Sequence, residues 1–315
     1  MNLVLLFILG TVWGASYLFI KITLTEVPAL TLVAGRLTLA AVVMWAILRL
    51  RGLSMPRDRR MWAVYGVMAL INAALPYSLI SWGEQYIPSG LASLLQATTP
   101  IFTVLLAQVL TADERITPTK IAGVIAGFVG VGLSMLPDLR QGVQASLLGE
   151  LAIIGSSLSY AGSAIYARHR LSGQPPLVSS AGQLTIGMLY MLPTALVIDQ
   201  PFHISPSPLA LAAWLTLTIV GTVVAYLIYF TLIERTSATF VTMVTYIIPI
   251  NGLILGALAL NEQLTPMVIV SLALVLLGVL LVNGTWRLAR RTLPEASQVC
   301  PPSSASSSMK SRMDG

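Results

Sequence analysis

Arg36 is the charged side chain set deepest in an apolar run of this 315-residue chain. Helix rise places it about 10 Å below the end of that run. An arginine at bilayer depth costs about 3 kcal/mol on insertion scales and takes a partner or water. Glu84, at the end of the next apolar run, is the expected partner. The alternatives are that Arg36 snorkels outward or takes the carboxylate of a solute. Uncharged polar groups fall at helical spacing in three other runs: Ser93, Gln96, Thr99 and Thr103; Thr242, Thr245 and Tyr246; Thr222, Tyr226 and Tyr229. Trp13, Tyr17, Tyr77, Trp82, Tyr160, Tyr226 and Tyr246 add aromatic faces, which accept flat groups and cations alike.

This inventory suits binding rather than bond-making. An enzyme embedded at this depth needs a nucleophile with its base, paired carboxylates or a metal cluster. His169 and His203 fall between the apolar runs, while Glu114, Glu150, Glu234 and Glu262 sit at their ends. No catalytic residue, metal or cofactor is therefore expected. Glu114 and Glu262 each precede a Thr-Pro pair, and their expected role is to cap the helix that follows, helped by Thr117 and Thr265.

Two prolines mark where the polar stripes open. A proline inside a helix removes one amide and displaces the carbonyl four residues back. Pro100 thus frees the carbonyl of Gln96, and Pro249 that of Thr245. Such breaks are tolerated at membrane depth where protein or a water-lined cavity surrounds them, so both are expected to border a site; a kink repaired by a neighbouring Ser or Thr is the alternative. Ser156, Ser159, Gly162 and Ser163, and the Gly123 to Gly127 spacing, read as close helix packing. Trp62, Trp214 and Trp286 at run ends read as interfacial anchors.

The elements that position these groups follow from composition. Hydrophobic residues make up 56% of the chain, charged ones 10%, and the mean hydropathy is +0.83, against roughly a quarter charged in a soluble domain. Ten runs are long enough to cross a bilayer as helices: 3–23, 29–48, 62–82, 91–110, 119–136, 147–167, 177–198, 209–232, 238–260 and 266–284. They are continuous, which excludes the alternating pattern of a transmembrane barrel. The first lacks a positive n-region and is not a signal peptide. The net charge of +6 arises from Lys and Arg between the runs. Arg49, Arg51, Arg57, Arg59, Arg60, Arg168 and Arg235 fall on one side and only Lys21 and Arg140 on the other, so both termini are expected in the cytoplasm. That reading needs no nucleic acid. The stretch 295–315, rich in Ser and Pro, is expected to be a disordered tail; it holds Cys300, the single cysteine.

The chain is also written twice. Asp113-Glu114-Arg115-Ile116-Thr117-Pro118 recurs as Asn261-Glu262-Gln263-Leu264-Thr265-Pro266. Shifted by about 147 residues, Trp13-Gly14 falls on Tyr160-Ala161, Lys21 on Arg168, and Arg36 on Gln183. Five helices per copy is an odd number, so the second copy is inverted, the arrangement of many secondary transporters.

Tyr86 to Leu95, Thr99-Pro100-Ile101-Phe102, Glu114-Arg115, Gly123 and Gly130 resemble the EamA repeat of the drug/metabolite transporter superfamily. Glu234-Arg235, Tyr246-Ile247-Ile248-Pro249, Glu262 and Gly278 resemble it again in the second copy. The resemblance covers about 280 residues; Leu260, Asn261 and Gln183 depart from it. It implies an all-α integral membrane protein of ten transmembrane helices, arranged as two inverted repeats, 1–137 and 147–286, around a central cavity. It also implies export of small metabolites, often amino acids or cationic drugs. Together with the residues above, it gives an expected solute site of Trp13, Tyr17, Arg36, Tyr77, Trp82, Gln96, Thr99, Tyr160, Gln183, Tyr226, Thr245 and Tyr246, with helix breaks at Pro100 and Pro249. The partners are a small solute and the lipid bilayer. A neutral or aromatic amino acid is the first expectation for the solute and an organic cation the second; oligomeric state is left open.

Overall fold

Inside a bilayer no water satisfies the peptide groups of a twenty-residue apolar run, so the backbone must bond to itself as helix. A computed structural model describes residues 1–110, 117–141, 144–236 and 238–284. Among these the chain forms ten helical rods: Asn2–Leu24, Ala29–Leu50, Arg59–Gly83, Ser89–Leu110, Pro118–Gln141, Ala145–Arg170, Pro176–Ile198, Pro208–Ile233, Phe240–Leu260 and Pro266–Asn283. Nine are long and apolar enough to cross a membrane. The sixth, Ala145–Arg170, is long enough at 26 residues. It carries Ser146, Ser156, Ser157, Ser159, Ser163 and Glu150, which make it the more polar rod. The tail 295–315, Trp286, Cys300 and Glu114 lie outside the described residues.

The rods are not all regular. The fourth breaks between Gln96 and Thr99, as Pro100 requires: the amides of Ala97 and Thr98 fall back to three-residue bonds with the carbonyls of Leu94 and Leu95, both 3.1 Å. The ninth does not break at Pro249. Its interruption is at Met243, and a single helix, Val244–Leu260, runs straight through the proline. The carbonyl that Pro249 displaces, that of Thr245, lies in the first turn of this helix, so the bend is taken up just upstream. Both rods are thus interrupted, but the ninth upstream of its proline, which corrects the break expected at Pro249. The fifth helix, expected to end at Leu136, continues through Pro137 to Gln141, because losing one amide bond in a last turn costs little.

What does match between the halves is a pair of π-helical segments, Leu70–Ala74 in the third rod and Ile219–Val224 in the eighth. Each widens the helix by one residue and turns the side chains beyond it, a distortion that accumulates at functional sites.

Packing follows the same pairing. The fifth helix lies on the tenth, the second on the seventh, the first on the ninth and the fourth on the sixth. Exchanging the halves maps this set onto itself. The closest crossing carries the relation residue by residue: a Cβ built on Gly123 lies 2.7 Å from the Gly278 carbonyl oxygen, and one on Gly130 lies 2.9 Å from that of Ser271. Gly123 corresponds to Ser271 in the repeat, and Gly130 to Gly278. The Gly123 and Gly127 stripe is thus a packing surface. The core, with Leu32, Leu37, Met44, Leu94, Leu95, Ile153 and Leu184 fully buried, belongs to one compact unit, Met1–Gly284.

Candidate functional site

Arg36 is buried on the second helix, and its Nε donates to Thr222 Oγ1 at 2.8 Å. Thr222 belongs to the π segment of the eighth helix, and its hydroxyl donates in turn to the Leu217 carbonyl at 3.3 Å. The guanidinium carbon sits 4.1 Å above the centre of the Tyr77 ring, a contact worth about 2 kcal/mol when desolvated. The expected Arg36–Glu84 pair is therefore not formed. The third helix presents Tyr77 to Arg36, while both carboxylate oxygens of Glu84 stay without a hydrogen-bond partner among the described residues.

Four tyrosines surround this arginine. The hydroxyls of Tyr77 and Tyr226 lie 3.5 Å apart, just beyond the π segments of the third and eighth helices. Tyr160 is within electrostatic reach of Tyr77, Tyr226, Arg36 and Tyr17, and Tyr17 within reach of Arg36. A cation, two apposed phenols and further aromatic faces thus come from the first, second, third, sixth and eighth helices.

The counterpart of Arg36 in the second half is Gln183. Its Oε1 accepts from Asn72 Nδ2 at 3.0 Å, and Asn72 Oδ1 accepts from Ser163 Oγ at 2.9 Å. Asn72 stands in the π segment of the third helix, as Thr222 does in that of the eighth. Asn72 is not among the residues expected from the sequence; an asparagine alone in an apolar run is the signal that marks it. Ser159 Oγ donates to the Ile71 carbonyl at 2.7 Å, satisfying a backbone group in the same segment. Ser156, Ser159 and Ser163 accordingly make polar contacts rather than simple close packing.

A third polar group forms at the break in the fourth helix. Gln96 Nε2 donates to Thr99 Oγ1 at 3.1 Å, Gln96 Oε1 accepts from Ser156 Oγ at 2.5 Å, and the Thr99 hydroxyl donates to the Gln96 carbonyl at 2.9 Å. The carbonyl that Pro100 releases is thus recaptured locally. Trp13 joins the aromatic set through Tyr229, whose ring centre is 5.7 Å away, and Tyr229 continues to Phe230 at 5.5 Å. Three expected residues stand apart. Trp82 is 37% exposed and packs edge-on against Tyr86. The Thr245 hydroxyl bonds the Thr242 carbonyl at 2.7 Å, and the Tyr246 hydroxyl accepts from Asn283 Nδ2 at 3.2 Å.

The loops at one end of the rods are tied across the halves. Glu26 accepts from the Ser207 amide at 2.5 Å and hydroxyl at 2.7 Å. These bonds hold its carboxyl below the usual carboxylate range. Asp199 Oδ2 accepts from the Thr31 amide and hydroxyl at 2.6 and 2.8 Å. Glu262 Oε1 accepts from the Ser89 amide and hydroxyl at 2.7 and 2.9 Å, and Oε2 from the Gly90 amide at 2.9 Å. Glu262 therefore caps the fourth helix, not the tenth that follows it; the tenth is capped by Thr265, whose hydroxyl accepts from the Val268 amide at 3.3 Å. Lys21 Nζ donates to the carbonyls of Glu84 and Ile87. Alternation of the rods puts all of these on one face.

Known proteins show the same organisation. The model of the EamA-like transporter family matches residues 1–136 and again 147–284. An uncharacterized transporter of Bacillus subtilis, YvbV, is 28% identical over 279 residues, 89% of this chain and 90% of that one. A probable terminal-alkyne amino-acid exporter of Streptantibioticus cattleyicolor is 26% identical over 294 residues, 92% of this chain and 94% of the other. The uncharacterized inner membrane transporter YedA of Escherichia coli K12 is 24% identical over 279 residues, 88% and 89% of the two chains. A solved crystal structure with 21% identity has a TM-score of 0.66, covers 92% of this chain and 98% of its own, and shares the fold. Two family matches on an all-helical, multi-pass membrane chain make it a member of the EamA-like transporter family, and a transporter.

Proposed function

We propose that the chain exports amino acids with apolar or aromatic side chains, by alternating access across the cell (inner) membrane. The observation that carries this reading is the Arg36 site. Thr222 and Tyr77 fix the guanidinium, and its Nη nitrogens have no hydrogen bond to a described residue. Such a group recognises a carboxylate, while Tyr17, Tyr77, Tyr160 and Tyr226 offer an amphipathic wall to the rest of the solute. The relative named for amino-acid export supports the same class. An organic cation fits less well, since Arg36 already occupies the Tyr77 face and repels a second positive charge. Gln183, Asn72 and Gln96 would recognise polar atoms on the far side of the solute, making the site asymmetric.

In this reading the halves 1–137 and 147–286 are inverted repeats that rock against each other around the site. The distribution of Lys and Arg puts both termini in the cytoplasm. The face tied by Glu26, Asp199, Glu262 and Lys21 is then the outer one, closed here. Counterflow in proteoliposomes, with a panel of labelled amino acids and cationic dyes, tests the proposal. Exchange of neutral or aromatic amino acids is expected, abolished by Arg36→Gln. Exchange of the dyes alone, or amino-acid exchange indifferent to Arg36→Gln, would remove its basis.

A further inference from the structure

Glu84, the first residue beyond the third helix, is fully buried, and neither carboxylate oxygen has a hydrogen-bond partner among the described residues. None of the described charged and titratable groups around it bonds its carboxylate oxygens. From the first helix, the Lys21 ammonium serves the backbone carbonyls of Glu84 and Ile87, and Tyr17 stands within electrostatic reach. From the second, Arg36 is held by Thr222 and Tyr77. From the loop after the ninth, Glu262 caps the fourth helix. The sixth helix carries a second buried carboxyl, Glu150, whose electrostatic partner is Asp138. A bare carboxylate with no hydrogen bond in such a place is among the costliest groups a fold can hold, and groups so placed take up a proton. Burial pushes the Glu84 carboxyl well above the usual carboxylate range; Lys21 and Arg36 pull it back, and Glu262 adds to the rise.

Glu84 also adjoins a seam. A Cβ built on Gly83 would lie 2.8 Å from the Gly149 carbonyl oxygen, and one on Gly149 would lie 2.9 Å from that of Gly83. The third and sixth helices therefore touch backbone to backbone beside it, with Ile87 packed over Gly149. Parting these helices on the outer face admits water to Glu84.

We propose that Glu84 is a proton-binding site that locks the outer seam: its carboxyl is neutral while the seam is closed and gives its proton to the outer water as the seam opens. The balance is one O–H bond broken and one proton taken by water, leaving a hydrated carboxylate near Lys21; closing reverses it. The inference rests on the alternating-access reading above. Because the closed form binds the proton more tightly, raising external pH favours the open form, by at most about tenfold per pH unit.

Two measurements on the full chain in lipid test this without knowledge of the solute. In the first, infrared spectra at neutral pH are expected to show a protonated-carboxyl band that shrinks in Glu84→Gln, with Glu150→Gln removing a separate component. An unchanged band in Glu84→Gln would mean an ionised Glu84 and would overturn the proposal. In the second, Cys300→Ser with Ile87→Cys is labelled by a membrane-impermeant maleimide, with reagent reactivity corrected against an exposed cysteine. Labelling is expected to quicken with external pH, to lose that dependence in Glu84→Gln, and to regain it in Glu84→Asp. A dependence that survives Glu84→Gln would assign the effect to Lys21 or Glu262 and sink the idea. Absence of labelling at every pH would overturn the gating reading with it, whereas failed counterflow with intact pH-dependent labelling would fault only the proposed solute.

Discussion

Arg36 on the second helix donates to Thr222 on the eighth at 2.8 Å, and Asn72 on the third donates to Gln183 on the seventh at 3.0 Å. Each bond joins the two halves, and each uses a residue of a π segment. Arg36 and Gln183 are counterparts in the repeat and each partner stands in a π segment, but only one pair contains a cation. The fold is two-fold in its backbone and one-sided in its charge.

Removing the acceptor tests the first pair. Thr222→Val keeps the shape and leaves the buried Arg36 Nε without its partner, which is expected to cost about 1–3 kcal/mol. Thermal unfolding in detergent measures it; an unchanged melting temperature would show that the bond contributes nothing to the folded state.

Glu262 makes three bonds to the start of the fourth helix. Glu262→Ala is expected to destabilise the protein by about 0.5–2 kcal/mol, the usual cost of a lost cap. Thr265→Ala, which uncaps only the tenth helix, gives an independent loss. Additive shifts in melting temperature for the double variant would confirm that the two residues cap different helices.

Gly278 faces Gly123 and Gly127 so closely that an added Cβ would lie 2.6 Å from the Gly123 carbonyl oxygen and 2.7 Å from the Gly127 amide. Backbone atoms cannot yield as a side-chain tip can, so Gly278→Leu is expected to prevent assembly of the fifth and tenth helices. Gly132, with nothing within 4 Å of its built Cβ, is the control, and Gly132→Ala is expected to be silent. Size-exclusion profiles of the two variants separate these outcomes.

Glu26 carries a pH dependence. Its carboxyl is held below the usual range by Ser207, so its contribution is present above the unfolded carboxylate pKa and is lost as pH falls through the folded one. The side chain is solvent-exposed, so the effect is small. Melting temperatures of the wild type and Glu26→Gln are expected to differ at neutral pH and to converge in acid; parallel curves would remove the linkage.

The helices were legible because apolar length is local information, and the repeat because identical loop residues recur at fixed separation. Pro100 announced the break in the fourth helix for the same reason. Pro249 misled, since whether a proline interrupts a helix depends on how close a helix start lies to the displaced carbonyl, and that start at Val244 has no sharp signal. The π segments were invisible: nothing in Leu70–Ala74 or Ile219–Val224 demands an extra residue per turn until a neighbouring helix supplies acceptors and donors for the freed groups.

By itself the sequence determined an all-helical membrane chain, its two copies, and the presence of one arginine too deep to be solvated. Those properties follow from transfer free energies and periodicity, which each segment carries alone. Only the tertiary structure decided that Arg36 answers to Thr222 and Tyr77 while Glu84 stays unpartnered, and that Glu262 reaches back to Ser89 and Gly90. Partners more than 150 positions apart are chosen by which helix faces meet, and that choice belongs to the packed bundle as a whole.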